Sequence, residues 1–172
     1  MTEPVELRGE RVFLRPSTDD DVERIAGILA TPEVARWWGS IDAEQVRSEM
    51  VGRFEDELTY AIVVDGEVVG LIQRWEESEP QYRHAGIDIS IHPDWHGQGI
   101  GTDAVRTLAR HLFDDLDHHR MTIDPAAHNA AAIACYRKVG FRDVGIMRQY
   151  ERAPDGTWHD GLLMDLLRED LT

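Results

Sequence analysis

The chain has 172 residues, 42% of them hydrophobic, enough to bury one core, so a single domain over residues 1–172 is expected. Its 33 acidic against 18 basic residues give a formal charge of −15, which repels a polyanionic backbone, excludes nucleic acid as a partner and favours cationic molecules. Apolar runs are short, Glu3, Glu6 and Glu10 replace the basic start of a signal segment, and Cys135 is the lone cysteine; the reading is a cytoplasmic protein, monomer or homodimer, with no membrane partner.

Val12 to Arg15 reads as a short strand stopped by Pro16. Thr18 with Asp21 resembles a capping box, and Val22, Ile25, Ala26 and Leu29 follow at helical spacing. Asp42 with Gln45 opens a second helix, whose apolar side is Val46, Met50 and Phe54. Between the helices lies Arg36-Trp37-Trp38-Gly39, of which Trp37 is assigned to the core and Trp38 to a ligand. Tyr60 to Val64 and Val68 to Arg74 flank Asp65-Gly66, the composition of a type I′ hairpin. A polar link, Glu76 to Arg83, leads to a strand from Ala85 to His92. Ile100, Ala104, Val105, Leu108 and Leu112 mark a helix, Met121 to Ile123 a strand, and Ala130 to Val139 a helix ended by Gly140. Val144 to Tyr150 and Gly161 to Leu167 read as a closing strand pair around Asp155-Gly156.

The segment His96-Gly97-Gln98-Gly99-Ile100-Gly101-Thr102 joins a strand to a helix. Alternate glycines let backbone N–H groups converge, and the helix brings its positive dipole end to the same spot, so the loop is built to hold phosphate. No Lys-Ser/Thr pair follows the glycines, which excludes a nucleotide hydrolase and points to a carrier cofactor.

That loop, with Asn129 and the run Ala132-Ile133-Ala134-Cys135-Tyr136-Arg137-Lys138-Val139-Gly140-Phe141, resembles the GCN5-related N-acetyltransferases over residues 85–145. Trp37-Trp38-Gly39, the Gln73 strand, Gly86-Ile87-Asp88 and Thr122-Ile123-Asp124-Pro125 resemble the aminoglycoside 6′-N-acetyltransferases within that family. The resemblance implies an α/β fold with a mixed, mostly antiparallel sheet flanked by helices and splayed beside the Asp88 strand. It also implies acetyl-CoA as co-substrate, no metal, and a small polycationic amine as acceptor. His96 stands where the family usually has Arg or Gln.

The resemblance assigns the pyrophosphate to the amides of Gly97 through Thr102. Asn129 would bond the pantetheine arm or the strand beside it, and a free N–H near Ile89, on the strand running to Ile91, would meet the thioester oxygen. Tyr136, with a hydroxyl pKa of about 10, can donate a proton to the departing thiolate. Asp88 is the expected base, because burial raises a carboxylate pKa toward that of a useful proton acceptor. Asp124 either binds a second ammonium or shapes the turn before Pro125. Trp38, Gln73, Glu77 and Glu79 complete the expected acceptor side, the two glutamates as part of an acidic funnel.

Two other acceptors share this chemistry, a hydroxylysine-type amine of siderophore synthesis and a protein N-terminus. A third reading, a non-catalytic acyl-CoA or dinucleotide module, rests on Gly99, Gly101 and Ala104 as G-x-G-x-x-A. Metal binding is not expected: Pro93 and the glycine loop keep His92 and His96 off a common helix face, and the adjacent rings of His118 and His119 point apart. Cys135, amid alanines in a helix, reads as a buried apolar residue rather than a nucleophile.

Overall fold

The computed structural model describes residues 5–52 and 56–172; Glu3 and Phe54 lie outside the described residues. Eight strands form one sheet: β1 (Leu7–Arg8), β2 (Phe13–Pro16), β3 (Glu57–Val64), β4 (Glu67–Glu77), β5 (His84–Ile91), β6 (Arg120–Ile123), β7 (Arg142–Arg152) and β8 (Trp158–Leu167). Their order is β1-β2-β3-β4-β5-β6-β8-β7. Every pairing is antiparallel except β5 with β6, which gives the mixed, mostly antiparallel sheet expected from the sequence. Asp65 and Gly66, at φ 50° and 80°, turn β3 into β4 as a type I′ turn requires.

One face of the sheet carries α1 (Val22–Leu29), α2 (Pro32–Trp38) and α3 (Ala43–Glu49), whose Val22, Ile25, Leu29, Val34 and Val46 pack on Leu71. The other face carries α4 (Ile100–Arg110) and α5 (Ala130–Val139), where Val105, Leu108, Ile133 and Val139 join Leu14, Ile62 and Ile72 in the larger core. Leu71 and Ile72 thus serve opposite faces, as the period of two dictates. The Thr18 N–H donates to Asp21 at 2.8 Å and Asp42 and Gln45 cap each other reciprocally, so both helix starts read from the sequence form. Asp21 also holds Arg15 through two bonds of 2.7 and 2.8 Å; burial pulls its carboxyl pKa up, but Arg15 and the Thr18 donors together keep it below the usual range.

Several elements differ from the expectation: β3 starts at Glu57 and β4 runs to Glu77, into the segment read as a polar link. The first strand starts at Phe13 rather than Val12, because the Val12 N–H is taken by Asp103 at 3.0 Å. The α2 helix was not anticipated; Pro32 at its first turn and Thr31 before it are its start signals. The last two strands are longer than expected and continue as a hairpin to a turn closed by Ala153 N–H on the Thr157 carbonyl at 2.8 Å.

Candidate active site

The sheet opens where the chemistry needs room. Strands β5 and β6 pair only at Ala85–Met121 and Gly86–Thr122, and beyond that point β5 has a ladder on its β4 side alone. His92 N–H donates to Val69 of β4, so alternation turns the N–H groups of Ile89 and Ile91 to the open edge. The loop that follows is locked by its own side chains. His96 bonds the Ile91 carbonyl through Nε2 at 2.7 Å, the Gln98 amide donates to the Asp94 carbonyl at 3.0 Å, and Arg11 donates to the Gln98 carbonyl at 3.0 Å. Gly97 and Gly99, at φ 71° and 80°, take a left-handed backbone that other residues resist. Among the described residues, no backbone amide from Gly97 to Thr102 has a protein acceptor, while Asp103 N–H already bonds the Gly99 carbonyl at 3.0 Å. Amides converging at a helix start, with their acceptors missing, suit a pyrophosphate.

Beside the open edge lies a cleft of about 360 Å³ lined by Trp37, Trp38, Asp88, Ile89, Asp124, Asn129, Tyr136, Tyr150 and Glu151 among others. Asp88 enters it from β5 without a hydrogen-bond donor among the described residues. Burial, then the carboxylates of Asp124, Glu57 and Glu151, push its pKa up to about 7. Tyr136, from α5, is buried against Phe141 with ring centroids 6.1 Å apart; burial, with Cys135 and the nearby Asp88 and Asp124 adding to it, drives its hydroxyl well above the ordinary tyrosine value. A proton acceptor near neutrality and a hydroxyl that stays protonated therefore face one cavity.

The structure gathers most of the expected residues here and leaves some outside. Asp124, at the end of β6, points its carboxylate into the cleft and accepts from the Tyr150 hydroxyl at 2.8 Å, a bond that pushes the tyrosine up to about 12. Asn129 caps α5, its Oδ1 accepting from Ala132 N–H at 3.3 Å, and still lines the cleft. Gln73 sits opposite Asp88 in the β4–β5 register, yet its amide is spent on Thr59 and Glu57 at 3.0 and 3.2 Å and it does not line the cavity. Glu77 and Glu79 also lie off it, the Glu77 carboxylate accepting from the Glu79 N–H at 2.9 Å. The tryptophans depart from their assignment as well. Trp38 lines the cleft and packs on the α1–α3 core, whereas Trp37, expected inside, lies against His128 at 5.0 Å.

Sequence reasoning missed Tyr150 and Glu151, which line the cleft, and Glu57, which lies behind it beside Gln73. Glu57 lies two residues from Thr59 on the same face of β3, so strand parity could have found it. For Tyr150 and Glu151 parity fails: β7 slips register between Met147 and Glu151, with Gln149 at φ 48°, and the bulge re-aims both side chains.

Comparison with known proteins fits this geometry. The acetyltransferase (GNAT) domain family matches residues 11–142, and the chain belongs to that family. It is an acetyl-CoA-dependent N-acetyltransferase, and such enzymes use no metal. Over 166 residues it is 28% identical to the aminoglycoside N(6′)-acetyltransferase type 1 of Klebsiella pneumoniae, covering 86% of this chain and 80% of that one. Over 83 residues it is 37% identical to the ribosomal protein bS18 alanine N-acetyltransferase of Escherichia coli (strain K12), covering 46% and 53%. The solved structure of AAC(6′)-Ib with paromomycin and acetyl-CoA superposes with a TM-score of 0.77 at 26% identity, over 94% of this chain and 96% of that one. The reading as a non-catalytic binding module is thereby overturned: the glycine loop follows the fifth strand of a mostly antiparallel sheet, not the first strand of a doubly wound one.

Proposed function

We propose that this enzyme acetylates a primary amine of a small polycation, and that the acceptor is the 6′-amine of an aminoglycoside. The observation that carries the reading is the cluster of carboxylates: Asp88, Asp124 and Glu151 line one cleft, and Glu57 behind it adds to the charge that raises the pKa of Asp88. Three acidic groups lining a cavity this size attract several ammonium groups at once, whereas a peptide N-terminus brings one. The likeness to the Klebsiella enzyme supports the same choice, and the shorter match to the bS18 alanine enzyme keeps a protein N-terminus as the competing acceptor.

In this reading residues 1–172 form one catalytic domain whose parts divide the work. The amides of Gly97 to Thr102 hold the pyrophosphate, and Asn129 presents its free amide N–H to the pantetheine side. Acetyl-CoA, when bound, supplies the thioester. Asp88 takes a proton from the acceptor ammonium, directly or through one water, freeing the nitrogen pair to form the new C–N bond. The Ile89 N–H, turned to the open edge, donates to the carbonyl oxygen as charge builds there. As the C–S bond breaks, Tyr136 gives its proton to the sulfur; the second proton leaving the new amide nitrogen restores the tyrosine hydroxyl, and no acyl-enzyme forms. Trp38 covers the acceptor, with Asp124 binding a second ammonium.

A thiol-release assay with acetyl-CoA tests this. Turnover is expected with aminoglycosides bearing a free 6′-amine and not with analogues lacking it, spermidine, hydroxylysine or short peptides. Faster turnover of peptides than of any aminoglycoside would transfer the assignment to a protein acceptor.

A further inference from the structure

We propose that the outer rim of the cleft is a second acceptor subsite, an aromatic shelf of Trp37, His128 and His159 with Glu151 beside it, which takes a distal ring of a multi-ring amine. The proposal rests on the polycation reading above and names which polycations fit.

The three rings form a continuous line. Trp37 and His128 have centroids 5.0 Å apart at 49°, and His128 and His159 are 5.0 Å apart at 78°. At one end Trp37 lines the catalytic cleft; at the other, His128 and His159 border a second, open hollow with Trp158, which is 57% exposed. The shelf is therefore an outward extension of the site and not a separate cavity.

Two of the three rings are held by polar partners before any ligand arrives, and His128 packs between them. The Arg36 guanidinium stacks on Trp37 at 4.4 Å, and His159 Nε2 lies 2.9 Å from the Thr157 hydroxyl, itself held by Asp155 at 2.6 Å. The turn of the hairpin that carries His159 comes close to the end of α2, where a Cβ added to Gly39 would lie 3.9 Å from Pro154. Ordered rings lose little freedom on binding, so contact with them is retained as affinity. Glu151 feels Asp124 on one side and both histidines on the other, placing one carboxylate at the junction of cleft and shelf. Aromatic faces with an adjacent carboxylate match a saturated ring whose C–H face stacks and whose ammonium pairs. A single aminosugar is expected to occupy the cleft lined by Asp88 and Asp124, and a second ring the outer hollow bordered by the histidines.

The test compares kanamycin with 6-amino-6-deoxyglucose, a single ring bearing the reacting amine, by calorimetry on the full chain saturated with coenzyme A. His128 is exposed and His159 half-buried, so the double variant His128→Ala/His159→Ala is expected to melt as the wild type does. We expect kanamycin affinity to fall about five- to tenfold in the variant and the affinity for the single ring to stay unchanged. An equal loss for both ligands, or no loss for either, would overturn the shelf. Wild-type protein that binds kanamycin without releasing thiol from acetyl-CoA sinks the acetylation reading and leaves the shelf standing; wild-type protein that binds no kanamycin sinks both.

Discussion

The Tyr150 hydroxyl donates to Asp124 at 2.8 Å, and this bond joins the β7–β8 hairpin to the end of β6 across the mouth of the cleft. It fixes the orientation of a carboxylate that would otherwise swing freely in a half-open site. Replacing Tyr150 by Phe removes the donor and keeps the ring. The expected result is a KM for the polycationic acceptor raised about three- to tenfold with kcat little changed, read from initial rates. Raising the salt concentration should increase the same KM in the wild type, since the attraction between the carboxylate cluster and a polycation is screened.

Asp88 is expected to govern the pH profile. Only its ionised form accepts a proton, so kcat/KM should fall as the pH drops through about 7. Asp124→Asn removes one of the like charges that hold Asp88 protonated, and the acid limb should move to lower pH. An unmoved limb would show that the limb belongs to another group.

The same carboxylate destabilises the fold. Its native pKa lies above the unfolded value, so stability is fully present below about pH 4 and is lost as the pH rises toward and through about 7. Asp88→Asn should abolish acetylation yet be more stable than wild type at pH 8 by roughly 2 kcal/mol, because one face of the wild-type carboxylate is open to water and the full shift is not realised. Denaturant titrations should show this gain shrinking as the pH approaches 4.

Tyr136→Phe keeps the volume of a buried ring and deletes only the proton donor. We expect kcat to fall on the order of tenfold to a hundredfold with the acceptor KM held nearly constant. A thioester with a more acidic thiol, which needs less help to depart, should restore much of the lost rate.

Asp103 provides a structural prediction. Its carboxylate, in the first turn of α4, accepts from the N–H groups of Glu10, Arg11 and Val12 at 3.0, 2.7 and 3.0 Å, tying the β1–β2 turn to the helix behind the glycine loop. Asp103→Ala leaves those donors unpaired and should cost about 2–4 kcal/mol in chemical denaturation. Because Arg11 also grips the Gln98 carbonyl, coenzyme affinity should weaken with it.

The cofactor half was readable because its requirements are local. Gly97, Gly99 and the start of α4 lie within a few residues of one another, and the caps at Thr18, Asp42, Asn129 and Gly140 each act over three or four positions. The acceptor half was only partly readable, since its walls meet across the fold. Asp88 and Asp124 came from the motifs around them, but Glu57 lies some thirty residues before Asp88 and reaches it only through the β3–β4–β5 ladder. Trp37 and Trp38 were separated by odds on burial alone, and the unforeseen α2 helix decided the matter by turning Trp37 toward His128. Glu77 and Glu79 are assigned by their charge alone; β4 ends at Glu77 and neither residue lines the cavity.

The meeting of Gly39 with Pro154 has a consequence for how the enzyme is made. One partner leaves the ribosome early and the other near the end of synthesis, and closing so long a stretch of chain is entropically slow. Because β8 pairs with β6 and adds Leu162, Met164 and Leu166 to the core, a product truncated ahead of the hairpin is expected to lack both a complete sheet and the Glu151 wall of the cleft.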